Sequence, residues 1–206
     1  MQAGRTLKYG FTVLLGVAGC AAPPRKVVSH PPGTLRVVYE QSTVHSSCLV
    51  ASAVMAANYL LDRRVLTEEG VRQELAARGR DETRVADIRA FLAEQGLHLV
   101  VLQGRLDGEP PAGLEYWLKN RGYPVICVIN RQPGDPAFNH AVVVIGISSN
   151  PQKPGVDIIH YLDPSSAEPL HSVERPVFQI LWGAGDCAMM VVVRPPEPGP
   201  GVAGGG

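Results

Sequence analysis

The sequence predicts an α+β domain in which an N-terminal helical layer, with a buried central helix, packs on a mainly antiparallel sheet. Three observations carry that expectation. Apolar residues at helical spacing dominate the first half of the 206-residue chain, and β-branched runs bounded by Pro, Gly, Asn and Asp dominate the second. One early segment, LVASAVMAANYLL, is apolar around nearly its whole circumference, as a helix buried on every side must be. No internal repeat divides the chain, and its length suits one domain with a core of its own.

The elements follow in order. Residues 1–19 read as a signal peptide: Arg5 and Lys8 precede FTVLLGVAG, an apolar run too short to span a bilayer comfortably. Val17-Ala18-Gly19-Cys20 resembles a bacterial lipobox, which implies cleavage before Cys20 and a lipid on its thiol. The alternative is an ordinary signal peptide in which Cys20 is incidental. A lipid would anchor the protein at a membrane without spanning it, in the cell envelope facing the periplasm. Ala22, where an Asp would favour the inner membrane under the enteric sorting rule, points to the outer membrane. Residues 20–34 are Pro-rich and predict an extended tether, 35–194 the folded domain, and 195–206 a disordered Pro/Gly-rich tail.

Within the domain, Leu49–Leu61 is the buried helix, with Ser46 or Ser47 as its N-cap. Thr67 caps a second helix that carries Glu68 and Glu69 in its first turn and stops at Gly79. Thr83 caps a third, whose Val85, Ile88 and Leu92 form one apolar face. A strand over 98–104 and a helix over 113–122 come next. Strands are then predicted over 124–130, 140–148, 157–163 and 187–194.

Charge and motifs exclude several function classes. Lys plus Arg equals Asp plus Glu at 19 each, with no basic stripe, so nucleic acid is not an expected partner. There is no CxxC, HExxH or paired-His helix, and the glycines, Gly70 and Gly79 included, form no phosphate loop. No metal or other cofactor is therefore expected. Of the four cysteines, a lipidated Cys20 would leave three in an oxidising compartment. That count fits one disulfide plus one free thiol. Cys127 and Cys187, each in a predicted strand, could form it if those strands are neighbours; otherwise they are two buried thiols.

Cys48 then needs a reason to be free. It could be a packing residue, a disulfide half, a metal ligand or a nucleophile. Its place at the head of an apolar helix, beside unpaired amides and the positive end of the dipole, favours a thiolate. His140 opens one core strand and Asp163 closes the next, so pairing of the two strands as a hairpin brings imidazole and carboxylate together. That is the base-and-orienter pair a nucleophilic cysteine requires. Read alone, His140 is also a satisfied strand-end histidine, and Asp163 before Pro164 a turn starter. His45 reads as solvated, though able to line the cleft. His160 points away from Asp163, and His30, His98 and His171 have no telling neighbour at a fixed spacing. Trp117 and Trp182 read as core, Lys119 as a solvated charge.

A Gln ahead of the Cys, the Cys heading its apolar helix, then PVICVIN, HAVVVIGI and YLDP together resemble the C39, bacteriocin-processing cysteine peptidases of the papain-like superfamily. The likeness covers about Val38 to Val193. It implies the papain-like fold, with Cys48 as nucleophile, His140 as general base and Asp163 as its orienting partner. Gln41 would be the side-chain donor of the oxyanion hole beside the Cys48 amide. Gln41 lies seven residues before Cys48, one more than is common in the family, so its loop must bulge or its donor swing. Leu49-Val50-Ala51 replaces the usual Gly and small residues after the nucleophile. The reading is a membrane-anchored periplasmic cysteine peptidase acting on a peptide or protein substrate. A transglutaminase- or amidase-type acyl transferase uses the same three groups, and a non-catalytic peptidase-like binding module would dispense with turnover.

Overall fold

The β-branched runs of the second half become one antiparallel sheet with apolar layers on both faces. The computed structural model describes residues 26–62 and 65–195. The expected signal peptide, Cys20 and the tail from residue 196 onward lie outside the described residues. The strands are β1 (His98–Gln103), β2 (Val125–Asn130), β3 (Asn139–Ser149), β4 (Asp157–Leu162), β5 (Leu170–Glu174) and β6 (Ala188–Val193). They lie in the order β1-β6-β2-β3-β4-β5, every neighbouring pair antiparallel.

Helices α1 (Cys48–Leu60), α2 (Glu68–Ala77) and α3 (Val85–Glu94) cover one face. Helix α4 (Arg175–Gly183) and the segment containing Leu114 and Leu118 cover the other. Alternate residues of one strand serve the two layers: Ile126, Val143 and Met190 join the first core, Cys127, Val142 and Met189 the second. That is why the strands read as unbroken apolar runs instead of alternating ones. In α1 every residue from Leu49 to Asn58 is buried. Its two polar side chains are satisfied: Ser52 Oγ donates to the Ala141 carbonyl at 3.2 Å, and the Asn58 carboxamide accepts from the amides of Val65 and Leu66.

Local chemistry departs from expectation at several places. Ser47 stands at the N-cap position of α1, but its hydroxyl bonds the Val44 carbonyl and Ser42 and leaves the helix amides open. Thr67 caps α2 as expected, accepting from the Gly70 amide at 3.1 Å. Thr83 turns instead to Asp81, and Arg84 holds the cap position of α3. The helix expected over 113–122 is a π-helical turn, Tyr116–Asn120. Strand β5 and helix α4 were not foreseen, the first being a five-residue edge strand and the second opening with Pro176 in its first turn. Residues 26–34 lie against the domain, not off it as a tether: Val28 packs on the helical core, and both ring nitrogens of His30 meet the carbonyls of Val28 and Val37. The Leu35 amide then donates to Ile145 at 2.8 Å.

Cys127 and Cys187 are a correction. Their strands β2 and β6 are neighbours, but both thiols are free. Cys127 faces Met189, and Cys187 lies ahead of β6 in a left-handed turn with φ of +50°. Burial, reinforced by nearby Cys187, pushes the Cys127 thiol well up and keeps it protonated.

The turn after α4 yields a paired expectation. A methyl on Gly185 would meet the Val128 carbonyl oxygen at 2.2 Å, whereas one on Gly183 meets nothing within 4 Å. Gly185→Ala should therefore destabilise by about 1–3 kcal/mol, while Gly183→Ala, in the last turn of a helix, should be neutral or slightly stabilising. Urea midpoints of the two variants, measured side by side, check this.

Candidate active site

Three elements converge at one end of the sheet. Helix α1 delivers Cys48 as its first residue, β3 delivers His140 as its second, and Asp163 follows the last residue of β4. The His140 Nε2–H donates to Asp163 Oδ1 at 2.7 Å. That leaves Nδ1 for the Cys48 thiol, which is hydrogen-bonded to the His140 side chain. Asp163 has no exposed surface. Its Oδ1 also accepts from the Ser165 amide at 2.9 Å, and its Oδ2 from Arg131 Nη2 at 2.6 Å.

The electrostatics follow from that geometry. Burial alone would push the Cys48 thiol up, but hydrogen bonds from His140 and from the Ala141 and Leu49 amides outweigh it and bring the thiol below its ordinary value. The Leu49 amide is one of the open first-turn donors that Ser47 leaves uncapped. Burial would likewise lower His140, yet hydrogen bonds to Asp163 and Cys48 raise it to about 9. Against the upward push of burial, bonds from His140, Ser165 and Arg131 hold Asp163 far below the usual carboxylate range. Thiolate beside imidazolium is the charge state this arrangement favours.

The three groups line a cleft of about 680 Å³ between the helical layer and the sheet. Leu49, Val85, Val128, Ala141 and Met190 make its apolar lining, while Arg131, Ser165 and Ser166 border Asp163. His45 and Ser46 also line it, so the rim histidine is where the sequence allowed it to be.

Gln41 is the expected residue that the cleft lacks. Its side chain is exposed, makes no hydrogen bond, and is not among the lining residues. A one-turn 3-10 helix, His45–Ser47, lies between it and Cys48, directly ahead of α1. The backbone nevertheless stays close to the site, because the Ser42 amide donates to the Pro164 carbonyl at 2.9 Å.

The sequence also gave no warning of Arg131, a lone arginine after a strand. The Tyr39 hydroxyl, which donates to the Pro164 carbonyl at 3.0 Å, was missed too. Of the remaining histidines, His160 sits between the hydroxyls of Ser148 and Ser172 at 2.8 Å each and takes no part.

No protein-family model and no curated protein sequence matches the chain. Solved structures do. One is a double glycine motif protease from an AMS/PCAT transporter in complex with its leader peptide: TM-score 0.53, 17% identity, 78% of this chain and 94% of that one covered. Another is the peptidase domain of Streptococcus ComA, a bi-functional ABC transporter involved in quorum sensing: TM-score 0.54, 15% identity, 76% and 97% covered. The fold is that of these peptidase domains. The likeness spans 94% and 97% of those domains and takes in the α+β arrangement expected from the sequence, a helical layer on a six-stranded antiparallel sheet.

Within that peptidase fold, Asp163→Asn removes the charge that holds the imidazolium. In the variant Cys48 should label more slowly with iodoacetamide near neutral pH, since the thiolate has lost a firmly held imidazolium beside it. The His140 ring should also titrate at lower pH than in the parent, which its ring-proton NMR signal would report.

Proposed function

We propose that the chain is a cysteine peptidase that hydrolyses a peptide bond with Cys48, His140 and Asp163. The observation that carries this reading is the continuous hydrogen-bonded series from Asp163 through His140 to a thiol with a depressed pKa, opening on a cleft. In the first half-reaction the Cys48 thiolate forms a C–S bond to the substrate carbonyl carbon, and the carbonyl oxygen becomes an oxyanion. The Cys48 backbone N–H lies at the helix start to receive it. The Gln41 carboxamide would add a second donor by turning in from solvent. The imidazolium gives its proton to the leaving nitrogen as the C–N bond breaks. His140 then takes a proton from water, which attacks the thioester, releases the new carboxylate and restores the thiolate.

Peptide or protein is the substrate class this cleft suits, a site of about 680 Å³ lined by residues of the helical layer and of the sheet. The leader peptide bound to one structural relative supports that class. The apolar lining favours an aliphatic side chain near the scissile bond. The site of action that accompanies this reading is the periplasmic face of the envelope, most simply the outer membrane, with Cys20 carrying the lipid.

One observation favours the rival binding module: Gln41 makes no contact in the cleft. Cys48→Ala separates the two readings. Turnover of a peptide library should fall by about a thousandfold or more with folding unchanged. Absence of turnover in both parent and variant favours the binding module, and equal turnover by the two rejects Cys48 as the nucleophile.

The acid–base signs are specific. Activity needs thiolate and imidazolium together, so kcat/KM should rise as Cys48 ionises below its ordinary range. It should fall as His140 loses its proton near pH 9. A pH–rate profile over 4 to 10 reads both limbs, and an alkaline fall centred near the ordinary histidine value contradicts the ion pair.

A further inference from the structure

Asp163 carries three partners on its two oxygens, and the peptidase chemistry uses one of them, His140. Oδ1 serves His140 at 2.7 Å and the Ser165 amide at 2.9 Å; Oδ2 is occupied by Arg131 Nη2 at 2.6 Å. We propose, resting on the peptidase reading above, that Arg131 is a positioning residue. Its guanidinium pins Oδ2 so that Oδ1 stays on His140, and its charge offsets the carboxylate field that the imidazole feels.

The alternative partner is already in place. His171 Nε2 lies 4.0 Å from the same Oδ2, buried and without a hydrogen-bond partner among the described residues. Its ring is stacked on Tyr161, centroids 5.1 Å apart and 9° from parallel, so it is held at that distance. Without the guanidinium, Oδ2 would be left open beside the His171 ring, while Oδ1, still tied to the Ser165 amide, keeps a less firmly oriented bond to His140. Arg131 decides the competition because its N–H already fills the oxygen His171 would take, in a short charge-assisted bond.

Arg131 is also firmly mounted. It follows β2 directly, and the preceding residue knots the loop: Asn130 Nδ2 donates to the Asp135 carbonyl at 2.9 Å and to Asn139 Oδ1 at 2.8 Å, and Asn130 Oδ1 accepts from the Gln132 amide at 2.7 Å. The side chain is 52% exposed, so its removal leaves the core intact. It reaches over to the Tyr161 hydroxyl as well.

Other ionisable groups face this cluster. They are Cys48 from α1, Tyr161 from β4, His171 from β5, His45 at the rim, and Tyr39 with Glu40 from the N-terminal segment. Arg131 is the cation in direct contact with Asp163 beyond His140 itself. Two effects of its loss can therefore be separated. Freed orientation lowers the rate. The unopposed carboxylate holds the imidazolium more strongly, so His140 should keep its proton to higher pH. A merely structural arginine would lower the rate without raising that limb.

The test compares the full chain with Arg131→Gln and Arg131→Lys. It uses pH profiles of peptide turnover, of iodoacetamide labelling of Cys48, and of the His140 ring signal by NMR. For Arg131→Gln we expect kcat/KM near neutral pH to fall about tenfold. Loss of the thiolate–imidazolium pair should move to higher pH by about half a unit or more. Arg131→Lys, which restores charge but not the planar fork, should return the pH limb and only part of the rate. If Arg131→Gln leaves the His140 titration where it is or lowers it, the proposal is overturned, whatever the rate does. Failure of the peptidase reading looks different: no chain turns peptide over, yet labelling and NMR still decide the Arg131 question.

Discussion

A charged carboxylate with no exposed surface must be surrounded by donors, and Asp163 sets that requirement for the whole end of the sheet. Burying an ion without partners costs several kcal/mol. Here the partners come from different elements: Arg131 after β2, His140 at the start of β3, and Ser165 in the turn after β4. Tyr39 adds a hydrogen bond from the N-terminal segment to the adjoining carbonyl. The satisfaction of one side chain thus fixes three strand ends relative to one another. The placement of Cys48 beside His140 is a consequence of the same bonds, because the imidazole that answers the carboxylate is also the one that reaches the sulfur.

The sulfur is placed by a separate set of constraints. Helix α1 is wedged between the other helices and the sheet, so its first residue has little freedom along the helix axis. The loop before it is clamped to α2. Thr43 donates through its hydroxyl to Glu68 Oε2 at 2.7 Å, and Glu40 accepts from the Glu68 amide at 2.9 Å. Arg72 bridges Glu82, which receives the Ser46 hydroxyl. Exposed ion pairs contribute little to stability. This cluster matters through its buried end, since Glu68 is fully covered and a broken bond there would strand a polar group. Leu49 partly walls the cleft without sealing it: Cys48 remains half-buried.

Much of this could be read from the chain, for physical reasons that differ by element. Helix α1 and strands β2, β3, β4 and β6 are buried by their neighbours on several sides, so their sequences are nearly pure apolar runs with clear ends. His140 and Asp163 could be paired because hairpin geometry is local and antiparallel. What escaped notice was set by long-range contact. Strand β5 is a short edge strand whose His171 and Ser172 blur any alternation, and α4 begins at a proline whose helical role shows only when its Phe178 and Trp182 find the sheet. Arg131 is an ordinary residue in sequence; its meaning comes from a carboxylate over thirty positions away. The serine expected to cap α1 had a competing acceptor at Val44, and a 3-10 turn that the spacing did not specify stands between Gln41 and Cys48.

Taken in sequence of contact, Cys48, His140, Asp163 and Arg131 form a row whose favoured charges alternate: negative, positive, negative, positive. Each interior member has an opposite charge on both sides, which lets a buried carboxylate and a largely buried imidazolium persist together. The two ends differ. The thiolate end faces the cleft; in the proposed reaction it would lose its charge as the C–S bond forms, leaving the imidazolium with one partner fewer before it gives its proton to the leaving nitrogen. The guanidinium end is half in water and keeps its charge at every step. The row is therefore asymmetric in the useful direction. In the proposed reaction, formation of the C–S bond would weaken the hold on the proton that C–N cleavage then requires, while the fixed cation keeps Asp163 from compensating too strongly.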